Sequence, residues 1–126
     1  SIANAFFTTA VAFGAMSLFG YTTKKDLSGM GRFLFMGVIG LIVAMIINWF
    51  TQSPGLEFAI NVLGVLIFAG LTAYDTQNIK NTYLSLRSSP NGEQIAAKAG
   101  ILGALSLYIN FLNMFMFLLQ FMGNRE

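Results

Sequence analysis

The stretch GLTAYDTQNIK, Gly70 to Lys80, closes an apolar run with a carboxylate. Phe58 to Tyr74 contains no Asp, Glu, Lys or Arg, and Asp75 follows directly. A carboxylate in that place is either the wetted end of a helix or a working group inside an apolar medium. An Asp at the centre of a membrane helix costs about 2.5–3.5 kcal/mol on insertion scales, and such residues usually face a cavity, a proton relay or a charged partner. The chemistry on offer is therefore proton uptake and contact with a cation. Thr72, Ser106, Asn110 and Asn113 add neutral oxygens and amides, and Tyr74 and Tyr108 add phenol hydroxyls that either pack or line a path.

The elements that must position these groups follow from composition. The 126 residues are 56% hydrophobic and only 10% charged, where a soluble domain carries about 25%. Ile2 to Thr23, Phe33 to Gly55, Phe58 to Tyr74 and Ala99 to Gly123 hold no charged side chain. A membrane-spanning helix needs roughly 20 mostly apolar residues. The fold class read from this is an all-α membrane protein, a bundle of four transmembrane helices over about 2–22, 33–51, 57–86 and 97–122 in a single domain. A β-barrel is excluded because the runs are too long and do not alternate. Histidine and cysteine are both absent, which removes disulfides, thiolate nucleophiles, zinc fingers and imidazole acid–base chemistry. A net charge of +2 gives no electrostatic footprint for nucleic acid.

Charge also orients the chain. The loop TTKKDLSGMGR holds Lys24, Lys25 and Arg32, and the loop between the third and fourth segments holds Lys80, Arg87 and Lys98. The turn TQSPGLE has no basic residue and the C-terminal tail has only Arg125. The positive-inside rule then places both basic loops in the cytoplasm and both chain ends outside. Trp49 and Phe50 sit where an interfacial aromatic anchor belongs. Pro54-Gly55 marks one turn, and Ser88 to Gly92 punctuates the long loop. Opening on Ser1 against an apolar run, without a starting Met or basic leader, reads as the remainder of a longer chain.

In lipid, small and polar residues mark the sides where helices meet. This predicts faces at Gly37, Gly40, Ala44 and Asn48 on the second helix and at Asn61, Gly64, Phe68, Thr72 and Asp75 on the third. The fourth carries Gly103, Ser106, Asn110, Asn113 and Gln120, and the first carries Asn4 and Thr8 with Ala10-x-x-x-Gly14 as a close-approach motif. A third helix ending near Tyr74 would leave Asp75 in water. DTQNIKNTYLSL, however, has no Gly or Pro until Pro90, so the helix can run to about Leu86. Asp75 and Asn110 then lie about 16 Å from their basic ends, at one depth.

GLTAYDTQNIK and ILGALSLYINFLNMFMFLLQFMGNR together resemble the last two transmembrane helices of the Bax inhibitor-1 family, also called the transmembrane BAX inhibitor motif family. FGAMSLFGYTTKKDLSGMG, Phe13 to Gly31, resembles the preceding helix and inner loop of its bacterial branch. Members have seven transmembrane helices, and the resemblance, which covers nearly the whole chain, is to the last four. It implies a C-terminal portion, in the bacterial inner membrane, of a pH-sensitive calcium leak. The implied sensor is a pair of aspartates on the last two helices sharing a proton. Asp75 matches the first. The second falls at Asn110, in LYINF where the family reads Leu-Tyr-x-Asp-Phe. The basic residue that the family places near the pair lies outside this chain.

Two close carboxylates cannot both ionise cheaply, so such a pair titrates as a coupled unit. Asn110 is nearly isosteric with a protonated aspartic acid but has no such proton to lose, and is expected to fix that half of the pair in the neutral state. Calcium takes six to eight oxygens. Asp75, Asn110, Asn113, Thr72 and Ser106 can offer some, and a single carboxylate suits a weak calcium site and conduction rather than storage. No other cofactor is expected. The expected partners are the lipid bilayer, the calcium ion and, on a competing reading, another membrane protein. That competing reading is a regulatory protein that acts through its helix faces and carries no flux. Enzymatic activity is not expected. An intramembrane aspartyl protease needs two catalytic aspartates at depth, and Asp26 lies in a basic loop.

Overall fold

The computed structural model describes residues 2–86 and 91–125, the side chains of 124 and 125 excepted. Four helices follow one another: α1 (Ile2–Thr22), α2 (Ser28–Thr51), α3 (Pro54–Leu86) and α4 (Gly92–Arg125). All four are long and apolar enough to cross a membrane, and the chain is a multi-pass membrane protein. With no water in hydrocarbon to satisfy backbone groups, each span must close its own hydrogen bonds, which a helix does.

Three of the four helices begin earlier than the expected 33, 57 and 97, and α4 ends beyond 122. The expected bounds followed the loss of charge, whereas the backbone follows turn chemistry. Asp26 Oδ1 accepts from Ser28 N at 3.0 Å and Ser28 Oγ at 2.8 Å, which starts α2 with Arg32 already inside it. At the other turn Gln52 takes φ 50° and its N–H bonds Asn48 O at 2.6 Å, ending α2. Ser53 Oγ accepts from Leu56 N at 3.3 Å, and Pro54 occupies the first helical position, where its missing donor costs nothing. Asn48 Oδ1 accepts from Ser53 N at 3.1 Å, so Asn48 braces this turn rather than sealing a helix seam. Arg87 and Ser88 to Pro90, part of the expected loop signal, lie outside the described residues, as does the side chain of Arg125.

α3 is the hub. It packs against each of the other helices, α1 also meets α4, and among the described residues α2 packs on α3 alone. The core joins Leu41 of α2, Ile60, Phe68 and Leu71 of α3, and Met114 and Phe117 of α4. Phe68 and Phe117 stack at 5.9 Å between ring centroids. Phe6 and Phe13 of α1 set edges against Phe111 and Phe115 of α4. Large apolar side chains face outward elsewhere, among them Phe7, Phe33, Trp49 and Phe50, as lipid-facing surfaces require.

The expected faces hold on α3, where Asn61, Gly64, Phe68 and Thr72 are buried. On α2 Gly37 and Ala44 face α3, but Gly40 is open on its outer side. On α1 Asn4, Thr8 and Ala10 are exposed and Gly14 meets nothing, while Ala5, Thr9 and Gly20 are buried. The true close approach on α1 is Gly20, where a Cβ would run into the backbone carbonyl of Ala73. Gln120 is likewise exposed.

Gly20→Ala should therefore force α1 from α3 and lower thermal stability, whereas Gly14→Ala should be neutral or stabilise by up to about 1 kcal/mol through helix propensity. Equal melting shifts for the two variants in detergent would contradict the packing. The Ser28 hydrogen bonds and then Arg32 hold the Asp26 carboxyl below the ordinary carboxylate range. Its ordering of the loop is thus complete above the unfolded value of about 3.9 and lost as pH falls through the lower folded value. The Ser28 amide resonance should titrate with a midpoint below about 3.9, and a midpoint at or above it would contradict this.

Candidate functional site and family

α3 and α4 run antiparallel, so rising positions on one meet falling positions on the other. Phe68 meets Phe117, Thr72 Oγ1 reaches Met114 Sδ at 3.7 Å, and Asp75 meets Asn110. The close fit comes from glycines at either end of this seam. Gly64 lies under the Phe117 ring and Gly103 under Ile79. The α4 stripe of Ser106 and Asn110 is thereby pressed onto α3 at Asp75.

One oxygen of Asp75 takes both contacts. Asn110 Nδ2 donates to Asp75 Oδ2 at 2.7 Å and Ser106 Oγ donates to the same atom at 2.8 Å. Asn110 is buried, and Asp75 and Ser106 are half-buried. Oδ1 takes no hydrogen bond from the described residues. Beside the pair lies a cavity of about 280 Å³ between α3 and α4, lined by Asp75, Ile79, Thr82, Ala99, Leu102 and Ser106 among others. A larger cavity of about 420 Å³ lies among α1, α3 and α4. It includes Tyr21, Lys80 and Gly100 but not Asp75, so the smaller one belongs to the carboxylate.

Of the residues singled out in the sequence, Asp75, Asn110 and Ser106 come together directly. Thr72 lies one turn along α3, buried, and spends its hydroxyl on Phe68 O at 2.8 Å. Asn113 is half-buried on the same side of α4. The two tyrosines do not join them. The Tyr74 ring packs where a side chain on Gly31 of α2 would stand, and Tyr108 is 59% exposed on the outside of α4. Tyr74 is one residue from Asp75 and Tyr108 two from Asn110, and positions one or two apart on a helix do not face the same way, which carries both away from the seam. Among the described residues no three of His, Cys, Asp and Glu gather to hold a metal ion.

The sequence reading missed Gln77. Its carboxamide accepts from Leu27 N at 2.9 Å and donates to Lys25 O at 2.6 Å, fastening the α1–α2 loop to α3. One turn on, Lys80 Nζ donates to Tyr21 O at 2.8 Å and stands 4.9 Å from the Tyr21 ring centroid. A glutamine just past an apolar run was the only signal available, since its partners lie fifty residues away.

Comparison with known proteins agrees with this architecture. The family described as inhibitor of apoptosis-promoting Bax1 matches residues 1–126. The inner membrane protein YbhL of Escherichia coli (strain K12) is 50% identical over 128 residues, covering 100% of this chain and 53% of YbhL. A protein of Caulobacter vibrioides is 62% identical over 127 residues, covering 100% of this chain and 50% of that protein. Protein RP147 of Rickettsia prowazekii is 45% identical over 126 residues, covering 100% of this chain and 52% of RP147. The chain thus spans about half the length of these curated relatives. The match along every residue, on four spans that carry the quoted α3 and α4 motifs, makes this chain a member of the Bax inhibitor-1 family.

Proposed function

We propose that this chain supplies the flux-controlling helices of a cation leak with calcium as the ion, and that Asp75 is the group that controls it. The observation that supports this reading is the pair of hydrogen bonds from Ser106 and Asn110 to one carboxylate oxygen on a membrane-spanning helix. Hydrogen bonds to an ionised acceptor are roughly twice as strong as neutral ones. Proton uptake by Asp75 would weaken both together and loosen α3 from α4 along the seam. Oδ1, with Ser106, Asn110, Asn113 and Thr72 nearby, would give a passing cation a weak oxygen site. Weak binding suits passage, because the ion must also leave.

Asn110 stands where the resemblance expects a second carboxylate and donates through its amide. A response built on one titratable group is shallower than that of a coupled pair. The basic end of the bundle would face the cytoplasm, in the membrane type that YbhL's name records. We assign the chain no enzymatic role.

Reconstitution of a family-length protein carrying this segment, with calcium flux followed between about pH 5 and 8, tests the reading. Flux should fall about tenfold in Asp75→Asn, which takes away the one carboxylate offered to the passing cation. Its pH dependence should steepen in Asn110→Asp as two carboxylates come to share protons. Equal background flux in the parent and both variants would remove the leak and leave the regulatory, non-conducting reading.

A further inference from the structure

α3 presents two working sides at its basic end. Thr72, Asp75 and Ile79 meet α4, while Ala73, Tyr74, Gln77 and Lys80 meet the corner formed by α1, its loop and α2. The second side is read closely. Ala73 backbone lies against Gly20, the Tyr74 ring covers Gly31, and Gln77 bonds the loop backbone on both sides of Asp26. Gln77 is 8% exposed and Leu27 is 3% exposed, so these bonds are sheltered from competing water. A carboxamide that donates and accepts at once, to two backbone groups two residues apart, fixes both the rotation of α3 and its height relative to the loop.

We propose that Gln77 is a positioning residue for the Asp75 site: by locking α3 to the α1–α2 corner it holds the Asp75 carboxylate within reach of Ser106 and Asn110. The proposal rests on the reading of Asp75 as the controlling group, but its physical content is the geometry of that hydrogen-bonded cluster. A helix free to turn by a small angle carries a side chain several ångströms from its axis out of range. The 2.7 and 2.8 Å contacts to Oδ2 leave little tolerance before they cease to be hydrogen bonds. The bonds from α4 hold one side of α3 and leave its opposite side to the α1–α2 corner. Gln77 ties that opposite side to the backbone of a loop held in turn by Asp26 and Ser28.

The chemistry of the carboxamide supplies its own control. Gln77→Ala removes both bonds. In Gln77→Glu an ionised carboxylate still accepts from Leu27 N–H but repels Lys25 O, whereas the protonated acid both donates and accepts as the amide does. The charged and titratable groups on the surrounding elements are Tyr21 of α1, Lys24, Lys25 and Asp26 of the loop, Arg32 of α2, Tyr74, Asp75, Lys80 and Tyr83 of α3, and Glu93 and Lys98 of α4. Acidification, which fills the carboxyl, is therefore the direction in which the two bonds of the amide return.

The test is bilayer NMR on the family-length protein, reading Leu27 amide exchange and the Asn110 side-chain carboxamide resonance. In Gln77→Ala, Leu27 exchange should rise about tenfold for the lost hydrogen bond and the Asn110 resonance should move toward its position in Asp75→Asn. Gln77→Glu should behave like Gln77→Ala at neutral pH and return both signals toward the parent on acidification, after correction for intrinsic exchange and for the parent's own acid shift. This variant keeps the question open to decision even where Gln77→Ala fails to fold. Faster Leu27 exchange with an unmoved Asn110 resonance would overturn the positioning role. An unchanged Leu27 amide would overturn the latch itself. Absence of calcium flux in the parent would strike the leak reading alone, because neither NMR signal depends on it.

Discussion

A carboxylate on a membrane-spanning helix must find partners, and among the described residues Asp75 finds them on one neighbouring helix. Asp75 sits on α3, the helix that touches all the others, and accepts from Ser106 and Asn110 of α4. Much of the remaining architecture serves that meeting. Glycines bring α4 close, the Phe68–Phe117 stack and the Thr72–Met114 contact set the register, and the loop clamp fixes the back of α3. The division of α3 into a side that holds the α1–α2 corner and a side that holds α4 makes it the frame on which the site is mounted.

The amide of Asn110 gives the site a definite polarity. An asparagine amide nitrogen can only donate, so Asp75 is cast as acceptor and the bond direction is set by covalent chemistry. A second carboxyl in that place would donate or accept according to its proton. This site keeps one titratable centre and one permanent donor. The remaining lone pairs of Asp75, beside a cavity of about 280 Å³, are where water or a cation would compete with the seam.

Much of the fold was legible in the sequence, and for a physical reason. A hydrocarbon medium leaves a charge-free run of suitable length little alternative to a spanning helix, so the positions of charge alone located all four spans. Helical spacing put Asp75 and Asn110 at one depth, and the family resemblance implied their pairing, which the structure shows. Which small residues mark contacts was not. Gly14, Gly40 and Gly20 look alike along the chain, and only Gly20 lies against a neighbour's backbone. Spacing shows that residues share a face, but not which way that face is turned against its neighbours. The choice left open for Tyr74 and Tyr108, between packing and lining a path, could not be made for the same reason, since sequence proximity to Asp75 and Asn110 says nothing of direction. Gln77 escaped notice because its meaning lies in a loop fifty residues away, and Asn48 because a side chain near a helix end can serve the turn instead of a seam.

The central claim is that Asp75 and Asn110 form one hydrogen-bonded unit whose state follows the Asp75 proton. Solid-state NMR of the carboxyl of Asp75 and the carboxamide of Asn110, labelled together in bilayers and titrated, tests it most directly. The account predicts that the two signals move together with a single midpoint. A carboxyl that titrates while the Asn110 amide stays still would contradict it.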